Sequence, residues 1–300
     1  MAKNQIYLTF NSHPNIAGNL IDHEIQQLTR AANNLGFDII KLGGQQLITP
    51  TDENLPIAVF NMSQMTTYSH RQYLRDLELR GVRVLNPIYS SVIADDKMLS
   101  YIELKNSGFP VPKTLHVNPL FLDDKNALIK RINDNLGWPC VLKITNSSLG
   151  RGIIKMNTQE DFDDIFSLLN LTSLRTANND TTVKLLIQEY IKESEGKTVR
   201  VIVLNNKCQG AYLKMSHNHW KANTTSGSFD RQPFELTDEL AKMSLNICRL
   251  FNLGYAGIDY LIGKDGFLVG EINTVSMLKG FDLMHPELDI YPDIIKCLTN

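Results

Sequence analysis

A chain of 300 residues with 43% apolar content can fill the cores of two or three compact lobes, and it has no run of apolar residues long enough to cross a bilayer. Its 30 Lys and Arg nearly balance 32 Asp and Glu, which leaves no global field to draw nucleic acid or anionic lipid, so neither is expected as a partner. Cys140, Cys208, Cys248 and Cys297 lie far apart with no Cys-x-x-Cys, which argues against a zinc site or a disulfide framework and for a reduced, cytoplasmic protein.

In chain order, Gln5 to Phe10 reads as a strand and Asn19 to Leu35 as an amphipathic helix ended by Gly36. Strand signals recur at Phe37 to Leu42, Ile57 to Phe60 and Val82 to Leu85, with a polar helix from Ser69 to Arg80 before the last. This βαβ pattern predicts a small, largely parallel sheet, and the loop after its first strand, Asn11-Ser12-His13-Pro14, is placed to meet a ligand. After Asn86-Pro87 two helices follow closely, Tyr89 to Ala94 and Asp96 to Ser107, and a second lobe is expected to begin at Asp95. Asp96 suits a helix N-cap, whereas Lys97 gains nothing from the helix dipole and is either solvated or reaches an anion.

A helix from Lys125 to Leu136 leads to the strand Pro139 to Ile144, in which Lys143 is expensive to bury unless it meets an anion. The loop that follows holds Ser147, Ser148, Gly150 and Gly152, and its small residues expose backbone N–H groups. It reads either as a plain turn or as a polyphosphate cradle, and it satisfies neither the P-loop nor the dinucleotide pattern. Thr158-x-x-Asp161 opens a capped helix that runs to Asn170, and a polar stretch continues to Thr182. Leu185 to Ile191 is a strand, and Val199 to Leu204 with Gln209 to Met215 form a hairpin around Asn205-Asn206-Lys207. The segment Ser216 to Phe234 has little regular signal but holds His217, His219, Trp220, Lys221 and Asn223, as a lid or binding loop does. Thr237 caps a helix from Asp238 to Phe251, and Ile290 to Leu298 is a short closing helix.

The most informative stretch is a second hairpin, Ala256 to Ile262 against Phe267 to Asn273. Closed by a three-residue loop, Lys264-Asp265-Gly266, with the glycine left-handed, it sets Asp259 opposite Glu271. Side chains alternate along a strand, so Asn273 shares the face of Glu271. Two opposed carboxylates repel unless a cation sits between them, and hard oxygen donors suit Mg²⁺.

In this order, Asp96-Lys97, Lys143 with its small-residue loop, Gln188 to Glu193, Arg200, Trp220 to Asn223, and Asp259 with Glu271 and Asn273 resemble the ATP-grasp carboxylate–amine ligases. The RimK-type branch is the nearest match. The resemblance implies an α/β, three-lobed ATP-grasp fold: a Rossmann-like parallel-sheet domain over 1–94, a central lobe over 95–184 and a C-terminal lobe with the metal site over 185–300. It implies that Lys97 and Lys143 hold nucleotide phosphates, that Gln188, Glu189, Tyr190 and Ile191 form a hinge reading the adenine, and that Ser147, Ser148, Gly150 and Gly152 fold over the terminal phosphates. Arg200, Lys221 and Asn223 would surround the transferred phosphoryl group, and Asp259, Glu271 and Asn273 would bind Mg²⁺, or Mn²⁺ in its place.

The implied reaction phosphorylates a carboxylate with ATP, after which an amine displaces phosphate to leave a C–N bond and ADP. Expected partners are small-molecule or peptide carboxylates and amines, and assembly with like chains is left open. Two other readings are a catalytically silent ATP-binding sensor or scaffold, and a D-alanine–D-alanine-type ligase suggested by Asn273-Thr274. The chain departs from the RimK pattern at Thr198, where an acidic residue is usual, and at Val275-Ser276-Met277, where relatives often turn with Pro-Gly. Ser226-Gly227-Ser228 replaces an Arg-Gly-Gly, which removes a carboxylate-binding arginine and argues against glutamate addition to a ribosomal protein.

Overall fold

The computed structural model of the protein describes residues 4–10, 18–43, 55–63, 68–117, 124–147, 150–171, 184–222 and 230–300. The first elements are β1 (Gln5–Phe10), α1 (Gly18–Asn34), β2 (Asp38–Gly43), β3 (Ala58–Asn61), α2 (Tyr68–Leu79) and β4 (Arg83–Leu85). Their strands are all parallel in the order β2-β1-β3-β4, as the βαβ pattern predicts. Gly36, at φ +81°, takes the left-handed turn that ends α1. The loop containing His13 lies outside the described residues.

Helices α3 (Ile88–Asp95) and α4 (Lys97–Asn106) lead into the second sheet. Asp96 caps α4, accepting from Met98 N at 2.9 Å and Leu99 N at 3.0 Å. The central sheet is built from β5 (Thr114–Val117), β6 (Cys140–Ile144), β7 (Ile153–Met156) and β8 (Leu185–Glu189), antiparallel in the order β5-β8-β6-β7. Helices α5 (Lys125–Asn135) and α6 (Gln159–Leu171) cover it around a core that includes Ile132, Met156, Phe162 and Leu185. The Thr158–Asp161 cap is reciprocal, with Asp161 N on Thr158 Oγ1 at 3.4 Å and Thr158 N on Asp161 Oδ2 at 3.3 Å.

The third sheet holds β9 (Lys197–Leu204), β10 (Lys207–Met215), β11 (Asp230–Phe234), β12 (Tyr255–Gly263) and β13 (Gly266–Asn273), antiparallel in the order β11-β10-β9-β12-β13. Asn205 and Asn206, at φ +48° and +58°, close the β9–β10 hairpin as a two-residue turn with both central residues left-handed. Part of the segment expected to be irregular is strand: β11 forms an edge, where Pro233 sacrifices no interior ladder bond. Helix α7 (Asp238–Leu250) packs behind this sheet, with Thr237 Oγ1 accepting from Leu240 N at 3.3 Å. Helices α8 (Lys279–Met284) and α9 (Tyr291–Thr299) return to the first sheet, where Tyr291, Ile294 and Ile295 share a core with Ile6, Leu8 and Leu28. Among the described residues no helix is long and apolar enough to cross a membrane, and Cys140, Cys208, Cys248 and Cys297 are free thiols.

Candidate active site

The β12–β13 hairpin puts Asp259 opposite Glu271, as expected, but by another route. Gly263 pairs with Gly266, so the loop is the two residues Lys264 and Asp265, and Gly266 takes a φ of +132° that favours glycine. That register alone would slide the carboxylates past each other. The pairing shifts between Asp259 and Tyr260, leaving Gly270 as the extra residue, and this bulge restores the Asp259–Glu271 pair.

The repulsion within that pair is relieved by side-chain cations. Arg200 grips Asp259 with two prongs, Nε on Oδ1 at 2.7 Å and Nη2 on Oδ2 at 2.6 Å, and Lys214 Nζ donates to Oδ2 at 2.9 Å. Burial would raise the Asp259 carboxyl, but Arg200 and Lys214 outweigh it and hold it at about 2. Burial likewise lowers Lys214, whose side chain is only 10% exposed. Glu271 takes its own cation, Lys97 Nζ at 3.0 Å. That ammonium also donates to the carbonyl of Ser147, so Lys97 reaches an anion rather than solvent.

Across from this wall stands β6. Lys143 Nζ donates to Gln188 Oε1 at 2.6 Å, a neutral partner, and Gln188 Nε2 donates in turn to Thr114 Oγ1 at 2.9 Å. Burial pushes Lys143 down to about 8, against the pull of Glu271. Between the walls lies an open cleft. Lys143, Gly150, Gln188, Glu189, Tyr190 and Ile191 line it from the central side, and Lys221, Asp259 and Glu271 from the other. Lys97 borders an adjoining pocket with Lys143, Gln188 and Glu271.

Several expected residues have further contacts. Glu189 turns its side chain to the chain entering β5, with Oε1 accepting from Lys113 N at 2.7 Å. Tyr190 lines the cleft, with Lys155 Nζ 3.9 Å from its ring centroid and Trp220 edge-on at 6.0 Å. Lys221 Nζ donates to the Ile153 carbonyl at 3.1 Å and so joins the two walls. Gly150 and Gly152 hold φ of +75° and +62°, the irregular backbone a small-residue loop needs. Arg200 touches the cleft through Asp259, and Asn273 Nδ2 donates to Gly257 O at 3.2 Å, leaving its Oδ1 as an acceptor. Ser148 and Asn223 lie outside the described residues. Of the two glutamates after the hinge, Glu195 lines the cleft beside Thr198, with Lys155 Nζ 3.5 Å from its Oε1.

Two further residues at the site escape the sequence reading. Lys214 is one, although a lysine in the strand Ala211 to Met215 invites the same question as Lys143. Asp95 is the other: its carboxylate accepts from Thr274 N at 3.2 Å and from Thr274 Oγ1 at 2.9 and 2.8 Å, fixing the end of the strand that carries Asn273. Burial pushes Asp95 up to about 7, with the negative charge of Glu271 adding to the effect. Among the described residues no three His, Cys, Asp or Glu side chains converge on a metal position. Two facing carboxylates and the Asn273 amide oxygen are nonetheless a hard-oxygen set that fits a divalent cation sharing its remaining positions with phosphate and water.

Two antiparallel sheets closing on a cation-lined cleft, with a carboxylate pair on one wall, define an ATP-grasp protein. The chain belongs to the RimK-like ATP-grasp domain family, whose sequence profile matches residues 94–298. It is 26% identical over 288 residues to the coenzyme gamma-F420-2:alpha-L-glutamate ligase of Methanococcus maripaludis, covering 91% of this chain and 94% of that one. It is 28% identical over 211 residues to N-acetylaspartylglutamate synthase A of Homo sapiens, covering 70% of this chain but 50% of that relative. Among solved structures, a RimK domain ATP-grasp protein from Sphaerobacter thermophilus superposes with a TM-score of 0.73 at 16% identity, covering 99% of this chain and 100% of that one.

Proposed function

We propose that the protein is an ATP-dependent carboxylate–amine ligase acting through an acyl phosphate on amino-acid-like or peptide substrates. The observation that carries this reading is the Asp259–Glu271 pair, held by Arg200, Lys214 and Lys97 at the wall of a cleft that Lys143 and Gln188 to Ile191 line from the other side. Asp259, Glu271 and Asn273 would hold Mg²⁺, which supplies positive charge to the phosphate oxygens; Mn²⁺ would suit the same donors.

The chain's own part is electrostatic. Lys143, with a neutral partner, offers charge to an incoming phosphate, and Lys97 adds to it from the Glu271 side. Arg200 and Lys214 position Asp259 beside the phosphoryl group, which passes from ATP to a carboxylate oxygen. Gln188 to Ile191 would meet the base, and Tyr190 and Trp220 wall off its side of the cleft. With substrate bound, the narrow cleft keeps water from the acyl phosphate until an amine attacks the carbonyl carbon and phosphate leaves. No side-chain nucleophile is needed. The names of the two relatives, a glutamate ligase and an N-acetylaspartylglutamate synthase, support an amino-acid-like substrate.

Incubation with ATP, Mg²⁺ and a panel of amino acids and peptides tests the proposal by ADP release and product mass. A coupled product with stoichiometric ADP and phosphate is expected. Tight nucleotide binding with no turnover across the panel would favour the sensor reading, which Thr198 at the cleft wall keeps in view.

A further inference from the structure

The open end of the β12–β13 hairpin carries Asn273, the third oxygen donor of the metal set. The ladder between the two strands stops at Gly257 opposite Asn273, and the ends of paired segments are where opening begins. Beyond that point a side chain takes over from the ladder. Asn86, in the chain leaving β4, donates through Nδ2 to Tyr255 O at 2.7 Å and to Thr274 O at 3.0 Å, and its Oδ1 accepts from Tyr255 N at 2.9 Å. Both amide protons and the amide oxygen are used, which ties the start of β12 to the residue after β13. A Cβ on Gly254 would meet Leu85 Cδ1 at 2.7 Å, so a glycine there lets the chain before Asn86 come this close.

Asp95, at the end of α3, holds the same residue from another direction. Its carboxylate takes the Thr274 N–H at 3.2 Å and the Thr274 hydroxyl at 2.9 and 2.8 Å. The carbonyl of Thr274 is thus fixed by Asn86, and its N–H and hydroxyl by Asp95. Thr274 and Asn86 are 2% and 1% exposed, so water does not compete for these bonds. Two residues beyond Asp95, Lys97 Nζ holds the Glu271 carboxylate at 3.0 Å. The run Asp95 to Lys97 therefore grips β13 at Glu271 and again just past Asn273, which sets the spacing of two metal donors. A donor is useful to a metal only when its support keeps it within roughly 0.5 Å of the productive geometry.

We infer that Asp95 and Asn86 are positioning residues for the divalent cation: by clamping Thr274 they hold the Asn273 amide oxygen beside Glu271. Both oxygens of Asp95 are engaged by Thr274, so it acts through the backbone of Asn273. The inference rests on Asp259, Glu271 and Asn273 being the cation's ligands.

Mn²⁺ is the probe, titrated into the one-to-one complex of the protein with a non-hydrolysable ATP analogue and followed by electron paramagnetic resonance; the affinity of the analogue alone is measured in chelator. Asp95→Ala should weaken Mn²⁺ binding about tenfold or more, the usual cost of removing an outer partner of a metal ligand, and leave the metal-free affinity unchanged. Asn86→Ala should act in the same direction. Asp95→Asn keeps an oxygen for the Thr274 N–H and should recover most of the loss, while Thr274→Val, which keeps that N–H, should lose less than Asp95→Ala. Asn273→Ala should weaken Mn²⁺ by itself, and adding Asp95→Ala to it should cost nothing more. Should Asp95→Ala fail to fold, Thr274→Val, alone and combined with Asn273→Ala, makes the same comparison. Unchanged Mn²⁺ affinity in the clamp variants, equal weakening of Mn²⁺ and of the metal-free analogue, or additive losses with Asn273→Ala would overturn the inference. Mn²⁺ affinity left intact by Asn273→Ala would remove the ligand assignment beneath it.

Discussion

The two walls of the cleft bury a lysine in opposite ways. On the central wall, the hydrogen-bond partner of Lys143 among the described residues is the neutral amide of Gln188, and burial depresses the lysine to about 8. On the C-terminal wall, Lys214 shares Asp259 with Arg200, and the carboxylate is held at about 2. The central wall therefore presents charge that waits for an anion, whereas the other is neutralised within itself. A phosphate entering between them gains most from Lys143, while the stability of the C-terminal wall depends on its ion cluster.

Breaking that cluster gives the largest expected effect. Asp259→Asn leaves Arg200 and Lys214 buried without their counter-charge, and chemical denaturation should register a loss of about 3–5 kcal/mol. Lys143→Ala should behave in the opposite sense. Its loss of one phosphate donor predicts about a hundredfold lower ligase turnover, about 3 kcal/mol in the transition state, with the denaturation midpoint nearly unchanged. Near-normal turnover by this variant would erase the contrast between the walls.

A third prediction concerns how the C-terminal wall is anchored to the first sheet. Glu24 on α1 accepts from Leu278 N at 2.5 Å and Lys279 N at 2.9 Å, and burial raises its carboxyl from 4.5 to about 7. The folded state then holds this proton more tightly than the unfolded one, so the stability it contributes is full below about pH 4.5 and is lost as the pH rises through about 7. Denaturation midpoints measured across that range should decline less in Glu24→Gln than in the wild type, by at most about 3 kcal/mol. Parallel curves would remove Glu24 from the account. The smallest effect belongs to the back of the wall: Thr237→Ala strips the cap of α7 and should cost about 1 kcal/mol with turnover unaltered.

Much of this contrast is legible in the residues themselves, because Lys143 interrupts an apolar strand and Asp259 and Glu271 fall at alternating positions of a hairpin. What escapes depends on distant partners. Gly270 as a bulge cannot be told from an ordinary strand glycine until both strands are paired. Lys214 raises the same question as Lys143, but its answer lies in Asp259, two strands away, which the sequence does not bring to it. Strands β5 and β11 carry too short a pattern to be seen alone, being held by β8 and β10. The packing of α9 into the first core is likewise long-range, since Tyr291 and Ile294 meet Ile6 and Leu28 across nearly the whole chain.

The central claim is that a carboxylate oxygen becomes the bridge of an acyl phosphate beside Asp259 and Glu271. It is tested most directly by supplying the reacting carboxylate labelled with ¹⁸O and analysing the released phosphate by mass spectrometry. The account predicts one ¹⁸O atom transferred to each phosphate formed with product. Unlabelled phosphate alongside the coupled product, or release of AMP and pyrophosphate in place of ADP, would contradict it.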